Sequence, residues 1–175
     1  LKVVLSGHQL ATETKLLAEK LLAKHISSEN LVLVGIQQGG VVVADKIVEA
    51  IRELQPGQTI EYGQLDITFY RDDIRQKIIT PDEMHIPFSI ENKIIVLIDD
   101  VLFTGRTIKA ALDALLDYGR PEKVELCVLV DRKEHRQFPI QADYAGQTIK
   151  TGKTDKVKLV RNESGELEVV LISEN

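Results

Sequence analysis

Three uninterrupted apolar runs, each too short for an ordinary helix, alternate along this chain with segments whose apolar positions recur at helical spacing. Leu31-Val32-Leu33-Val34-Gly35-Ile36 is the first run; the others lie within Lys93 to Ile98 and Lys123 to Val130. Runs of this kind predict strands buried on both faces. Between them, Leu10, Leu17 and Leu21, with Ala11, Ala18 and Leu22, share one helical face up to about Lys24, and Ser6 with Gln9 makes a capping-box start. A second helix is expected from Val41 to about Leu54. A third is expected from Thr104 to about Tyr118, with Ile108, Ala111, Leu112 and Leu115 inward and Gly119 and Pro121 at its end. Pro56-Gly57 marks a turn, and Ile67 and Phe69 alternating with Thr68 and Tyr70 predict a strand over 63–70. Lys156–Arg161 and Leu167–Ile172 flank the turn Asn162-Glu163-Ser164-Gly165, so the chain should end in a β-hairpin. The alternation predicts an α/β fold with a central, mostly parallel sheet flanked by helices. Right-handed crossovers then place the carboxyl ends of the strands, and their loops, at one edge.

Composition narrows this picture without redirecting it. A chain of 175 residues with 43% hydrophobic content fits one well-buried domain rather than two catalytic ones. No apolar stretch reaches the length of a membrane span and no leader pattern opens the sequence, so a cytoplasmic protein is expected. Cys127 stands alone inside an apolar run and reads as a buried thiol. The net charge of −5 offers no overall attraction for nucleic acid, which leaves only local basic faces to consider. On the first helix, Lys15, Lys20 and Lys24 are interleaved with Glu13 and Glu19, the pattern of an ordinary solvated surface.

Specific chemistry is concentrated in Val96-Leu97-Ile98-Asp99-Asp100-Val101-Leu102-Phe103-Thr104-Gly105-Arg106-Thr107. A buried strand ends in two carboxylates, and a short loop leads through Thr-Gly-Arg-Thr into a helix. Backbone N–H groups at that helix start, with the Thr104 and Thr107 hydroxyls, suit a phosphate, and Gly105 allows close backbone approach. Two carboxylates beside a phosphate cradle would repel a polyphosphate unless they face hydroxyl groups or a metal ion. Asp99 and Asp100 therefore suggest a sugar. After the first strand, Gln37-Gln38-Gly39-Gly40 offers backbone donors to an anion. The polar stretch 71–92, beginning Arg71-Asp72-Asp73-Ile74-Arg75-Gln76-Lys77, reads as a long flexible loop of the kind that covers a site, with a plain surface hairpin as the alternative.

The Asp99–Thr107 stretch resembles the 5-phosphoribosyl-1-diphosphate (PRPP) signature of type I phosphoribosyltransferases. That resemblance implies that the acidic pair meets the ribose hydroxyls, that the loop from Val101 to Thr107 holds the 5′-phosphate, and that residues 37–40 touch pyrophosphate. Mg2+ arrives with PRPP and no direct protein metal site is required. It also implies a small hood over 131–155 above the sheet. Further segments carry a closer resemblance: Val34-Gly35-Ile36, Asp66 to Asp73, Ala114 to Pro121, Val128 to Arg132 and Pro139 to Gly146 are similar to those of the PyrR family. Its members are bifunctional pyrimidine operon regulators with uracil phosphoribosyltransferase activity.

This resemblance implies uracil, PRPP and UMP or UTP as ligands, a leader mRNA as partner and a homo-oligomer, dimeric or higher. It implies catalytic use of Arg71, Asp72, Asp73, Arg75 and Lys77, and base recognition by backbone groups near Val130, Asp131 and Arg132. Lys15, Lys20, Lys24, His135 and Arg136 are the candidate RNA contacts. The chain departs from the family in placing uncharged Gln37-Gln38-Gly39-Gly40 where many members carry a Lys-Thr-Arg-Gly loop, and in an extra residue at Lys133-Glu134. A nucleotide sensor with little catalysis and a purine phosphoribosyltransferase are the alternatives. No buried strand precedes Thr151-Gly152-Lys153-Thr154, and the first glycine of a triphosphate-binding loop is displaced, since position 147 is Gln147.

Overall fold

The computed structural model describes residues 1–68 and 84–173. Two sheets organise it. The larger has the order β4-β3-β2-β5-β6-β7, formed by Met84–His85, Glu61–Leu65, Leu31–Ile36, Ile94–Leu102, Lys123–Arg132 and Tyr144–Ile149 respectively. Five of these strands run parallel and β4 is an antiparallel edge. The smaller sheet, β1-β9-β8, joins Lys2–Leu5 to the terminal hairpin Lys156–Arg161 and Leu167–Ile172.

Helices cover both faces of the large sheet, which is why its central strands are apolar throughout. The helices α1 (Gly7–Lys24) and α2 (Gly39–Leu54) pack Leu17, Leu21, Ala44 and Ile47 against Leu33, Val96, Ile98 and Leu129. On the opposite face α3 (Arg106–Tyr118) packs Ile108, Ala111 and Leu115 against Val34, Leu97 and Val128. Strand residues therefore alternate between two cores. The Ser6 hydroxyl accepts the Gln9 N–H while the Gln9 side chain accepts the Ser6 N–H, so the capping box closes the start of α1.

Several boundaries differ from those read in the sequence. The strand expected over 63–70 is β3 at Glu61–Leu65, and it stops where Asp66 Oδ1 accepts both the Thr68 N–H and its hydroxyl at 3.0 and 2.6 Å. The second helix begins at Gly39 rather than Val41, and the third at Arg106 rather than Thr104. The motif strand does not end at Ile98 but runs on to Leu102, because Asp99 to Leu102 still pair with Val128 to Asp131. Of the stretch 71–92 expected as a loop, residues 71–83 lie outside the described residues, and the remainder is not loop throughout. It forms β4 and buries Ile86 and Ile90 in the α3-side core. The segment 131–155 likewise contributes a parallel strand, β7, to the main sheet, and Arg132 still belongs to β6.

One buried charge cluster ties α1 to the far ends of β6 and β7. Glu125 is 1% exposed. Lys24 Nζ and Lys123 Nζ lie 2.6 and 3.3 Å from its Oε2, His25 Nε2 lies 2.5 Å from Oε1, and the Tyr144 hydroxyl donates to Oε1 at 3.0 Å. Burial by itself would raise the Glu125 carboxyl, but the Lys24, His25 and Tyr144 bonds outweigh it and hold it down, from an ordinary 4.5 to about 2. A depressed carboxyl contributes stability that is present above its unfolded value and lost as pH falls through the folded one. Glu125→Gln is expected to cost about 2 kcal/mol at neutral pH. In urea melts the wild-type advantage should then fade between pH 4.5 and about 2. An unchanged urea midpoint at neutral pH would remove the cluster from any part in stability.

Candidate functional site

The order of the parallel strands, β3-β2-β5-β6-β7, reverses direction between β2 and β5. The helices that follow these two strands lie on opposite faces of the sheet, α2 on one and α3 on the other, so the loops beyond β2 and β5 part and leave a crevice. Both sequence-selected segments lie there. Gln37 to Gly40 follow β2, and Asp99 to Thr107 span the end of β5, the loop and the start of α3. The Gln37–Gln38 peptide is cis, and the Gln37 N–H donates to the Leu65 carbonyl at 2.9 Å.

The two glycines of the first segment pack on the carboxylates of the second. A Cβ on Gly39 would overlap the Asp100 carboxylate, and one on Gly40 would overlap the Ile98 carbonyl and stand 3.0 Å from Asp99 Cα. Here the missing side chains are a matter of space. Asp99 is 6% exposed and Asp100 half-buried. Asp99 Oδ1 accepts the Asp100 N–H at 2.9 Å, and Asp100 Oδ1 accepts the Val101 N–H at 2.8 Å. Burial, reinforced by the neighbouring Asp100, pushes the Asp99 carboxyl well above the usual carboxylate range.

Beyond the acidic pair, Gly105 has φ 90°, a conformation a glycine tolerates, and supplies no capping side chain to α3. Thr104 Oγ1 accepts the Arg106 N–H at 3.2 Å. Thr104 and Thr107 are half-buried, Arg106 is exposed, and Val101, Leu102 and Phe103 form the link between carboxylates and turn. Arg106 Nε donates to Gln137 Oε1 at 2.6 Å.

At the end of β6, Val130 and Asp131 pair with β5 on one side and β7 on the other, and Arg132 pairs with β7. The Arg132 guanidinium stacks 3.6 Å from the centre of the Phe103 ring, and it donates to Thr151 Oγ1 and the Gly152 carbonyl at 2.8 and 3.1 Å. The His135 ring meets the same Phe103 ring in a T-shaped contact, 5.8 Å between centroids. An open cavity of about 610 Å³, lined in part by Asp131, Arg136, Phe138, Ile140 and Ala145, lies beside it.

The five candidate RNA residues separate into two groups. Lys15 and Lys20 are exposed on α1. Lys24 is paired with Glu125, His135 Nε2 lies 3.3 Å from the Thr151 carbonyl, and Arg136 bonds Asp131 and the Phe103 carbonyl. Arg71, Asp72, Asp73, Arg75 and Lys77 lie outside the described residues. Sequence reasoning missed the Phe103–Arg132 stack and the Arg136 bonds. The adjacent Asp-Arg and His-Arg pairs were visible, but nothing in their spacing says that the loop after β6 folds back onto the loop after β5. Among the described residues no helix is long and apolar enough to cross a membrane, and no three His, Cys, Asp or Glu side chains converge as metal ligands.

The phosphoribosyl transferase domain family matches residues 3–162. The chain is 43% identical over 177 residues to the Bifunctional protein PyrR of Elusimicrobium minutum, covering 99% of this chain and 98% of that one. It is 40% identical to the protein of the same name from Deinococcus radiodurans, covering 95% and 91% of the two chains. Among solved structures, the hypoxanthine phosphoribosyltransferase of Trypanosoma cruzi shares the fold with TM-score 0.74 at 18% identity, over 98% of this chain and 95% of that one. A hypoxanthine phosphoribosyltransferase of Staphylococcus aureus matches with TM-score 0.69 and 25% identity, over 88% and 80%. With a phosphoribosyl transferase match spanning most of its length and near full-length relatives of one name, the chain belongs to the PyrR family of type I phosphoribosyltransferases.

Proposed function

We propose that the chain transfers the 5-phosphoribosyl group of PRPP to uracil, giving UMP and pyrophosphate. The carrying observation is that the buried Asp99 with its half-buried neighbour Asp100, the Thr-Gly-Arg-Thr turn that starts α3 and two closely packed glycines meet at the switch point of the sheet. In the reaction the bond from C1 of the ribose to pyrophosphate breaks, a bond to N1 of uracil forms and the N1 proton is released. Positive charge develops at C1 and negative charge on the leaving group.

Asp99 and Asp100 hold the ribose hydroxyls and face the developing positive charge. Thr104, Gly105, Arg106 and Thr107 take the 5′-phosphate at the positive end of α3, and backbone groups of Gln37 to Gly40 approach pyrophosphate. With no cation in that loop, Arg71, Arg75 and Lys77 are the assigned sources of positive charge for the leaving group. The base lies at the ends of β6 and β7, beside Asp131 and Arg132. The donor set fits a Mg2+ carried in by PRPP: the adjacent carboxylates of Asp99 and Asp100 are hard oxygen donors that would hold it together with oxygens of the substrate. Bound there, Mg2+ supplies neutralisation of the leaving pyrophosphate.

The test is PRPP-dependent conversion of uracil, with hypoxanthine and xanthine as controls. Uracil turnover is the expected result; purine turnover in its place would move the chain to the chemistry named for its structural neighbours. The relatives are named bifunctional, and the second activity proposed here is regulation through a leader RNA, with the exposed Lys15 and Lys20 of α1 among its contacts. A salt-titrated RNA shift assay with and without UMP reads it, and equal retention at every salt with Lys15 and Lys20 replaced by Gln would remove these residues from the contact.

A further inference from the structure

We propose that Arg136 is a positioning residue for this transfer, fastening the phosphate loop after β5 to the end of β6 so that the phosphate and base halves of the site keep a fixed separation. The proposal rests on the phosphoribosyltransferase reading above.

Arg136 is directed inward, not toward solvent. Its side chain is 18% exposed and its partner Asp131 is 9% exposed. Nη1 donates to the Phe103 carbonyl at 2.5 Å and to the Arg132 carbonyl at 3.3 Å, Nε to the Ile140 carbonyl at 2.8 Å, and Nη2 to Asp131 Oδ1 at 2.9 Å. One planar group therefore joins the phosphate loop, the last residues of β6 and its own return segment. A guanidinium is suited to this because its N–H directions are fixed relative to one another; an ammonium has no such fork.

The neighbouring residue repeats the link. The Gln137 N–H donates to the Thr104 carbonyl at 2.8 Å, and Gln137 Oε1 accepts Arg106 Nε at 2.6 Å. Ile140 and Phe138 close against Gly105, where an added Cβ would stand 3.3 and 3.5 Å from their nearest atoms. The carbonyls held are those of Phe103 and Thr104, so the peptide planes entering the Thr104–Thr107 turn are set from the β6 side. The order of that turn is thus established before ligand arrives, and binding does not have to supply it.

Arg136→Ala and Arg136→Lys should be compared with wild type for kcat, KM for PRPP and thermal unfolding. Arg136→Ala is expected to raise the KM for PRPP about tenfold or more and to lower kcat. Arg136→Lys should keep the charge opposite Asp131 and recover only part of the loss. A merely structural role would lower the active fraction, and with it kcat, while leaving KM at its wild-type value; that result overturns the proposal. So does a fully restored KM in Arg136→Lys, because charge without the fork would then suffice. Titration of wild type and Arg136→Ala with ribose 5-phosphate, read by calorimetry, separates the two levels of argument. If wild type turns over no uracil the functional reading fails, whereas equal ribose 5-phosphate affinity in both proteins defeats the tether.

Discussion

Replacing both Asp99 and Asp100 by Asn is expected to reduce phosphoribosyl transfer at least about a thousandfold and at the same time to raise the melting temperature. The two effects have one origin. Asp99 is 6% exposed, and burial together with Asp100 pushes its carboxyl well above the usual range. A group whose folded-state pKa is raised binds its proton more tightly in the folded chain. Its favourable contribution is present below the unfolded carboxyl value of about 3.9 and is lost as pH rises toward the folded one. An amide in its place does not titrate, so the stability gap between variant and wild type should widen from acid to neutral pH. Transfer fails in the variant because neutral amides no longer oppose the positive charge developing at C1. Steady-state rates with thermal melts at acid and neutral pH check both parts. Near-normal turnover would remove the pair from the reaction, and a lower melting temperature at neutral pH would contradict the cost assigned to Asp99.

Gly39→Ala and Gly40→Ala should separate binding from stability within one dipeptide. A methyl on Gly40 meets the Ile98 carbonyl and Asp99 Cα, backbone atoms in the middle of a sheet that cannot turn aside. That variant should lose about 3 kcal/mol in denaturant titrations. A methyl on Gly39 meets the Asp100 carboxylate, which rotates away at small cost to the fold but abandons its position in the crevice. Gly39→Ala should therefore unfold close to wild type while its KM for PRPP rises about tenfold or more. The reverse ranking, with Gly39→Ala the less stable and Gly40→Ala the poorer binder, would show that α2 does not sit on the acidic pair in this way.

The parts legible in the sequence are those where one requirement dominates. The strand Leu31–Ile36 is buried at every position, and α1 carries both a helical stripe and a capping box, so each could be read directly. β1 escaped because it is a short edge strand with Lys2 and Val3 exposed, and its pairing with β9 lies far away in sequence. β7 escaped because Tyr-Ala-Gly-Gln-Thr-Ile buries only Tyr144; it is defined by its neighbour β6 and not by its own pattern. The end of β5 was placed too early for a related reason. Two adjacent carboxylates look like the start of a loop, and only the pairing of Asp99 to Leu102 with β6 reveals that the strand carries them. Asp99, Asp100 and the Thr104–Thr107 turn stood out by chemistry. Arg136 did not, since its partners Phe103, Asp131 and Ile140 are brought together by folding alone.

The packing of α2 on β5 also restricts how the anion loop could be re-engineered. Positions 39 and 40 have no room for a side chain, so a charge meant to strengthen pyrophosphate binding has only the two glutamines before them. Of these, Gln37 is half-buried with its backbone held by Leu65, whereas Gln38 is exposed. A lysine at position 38 would enter without losing its water shell, which makes it the entry point for converting an uncharged cradle into a cationic one.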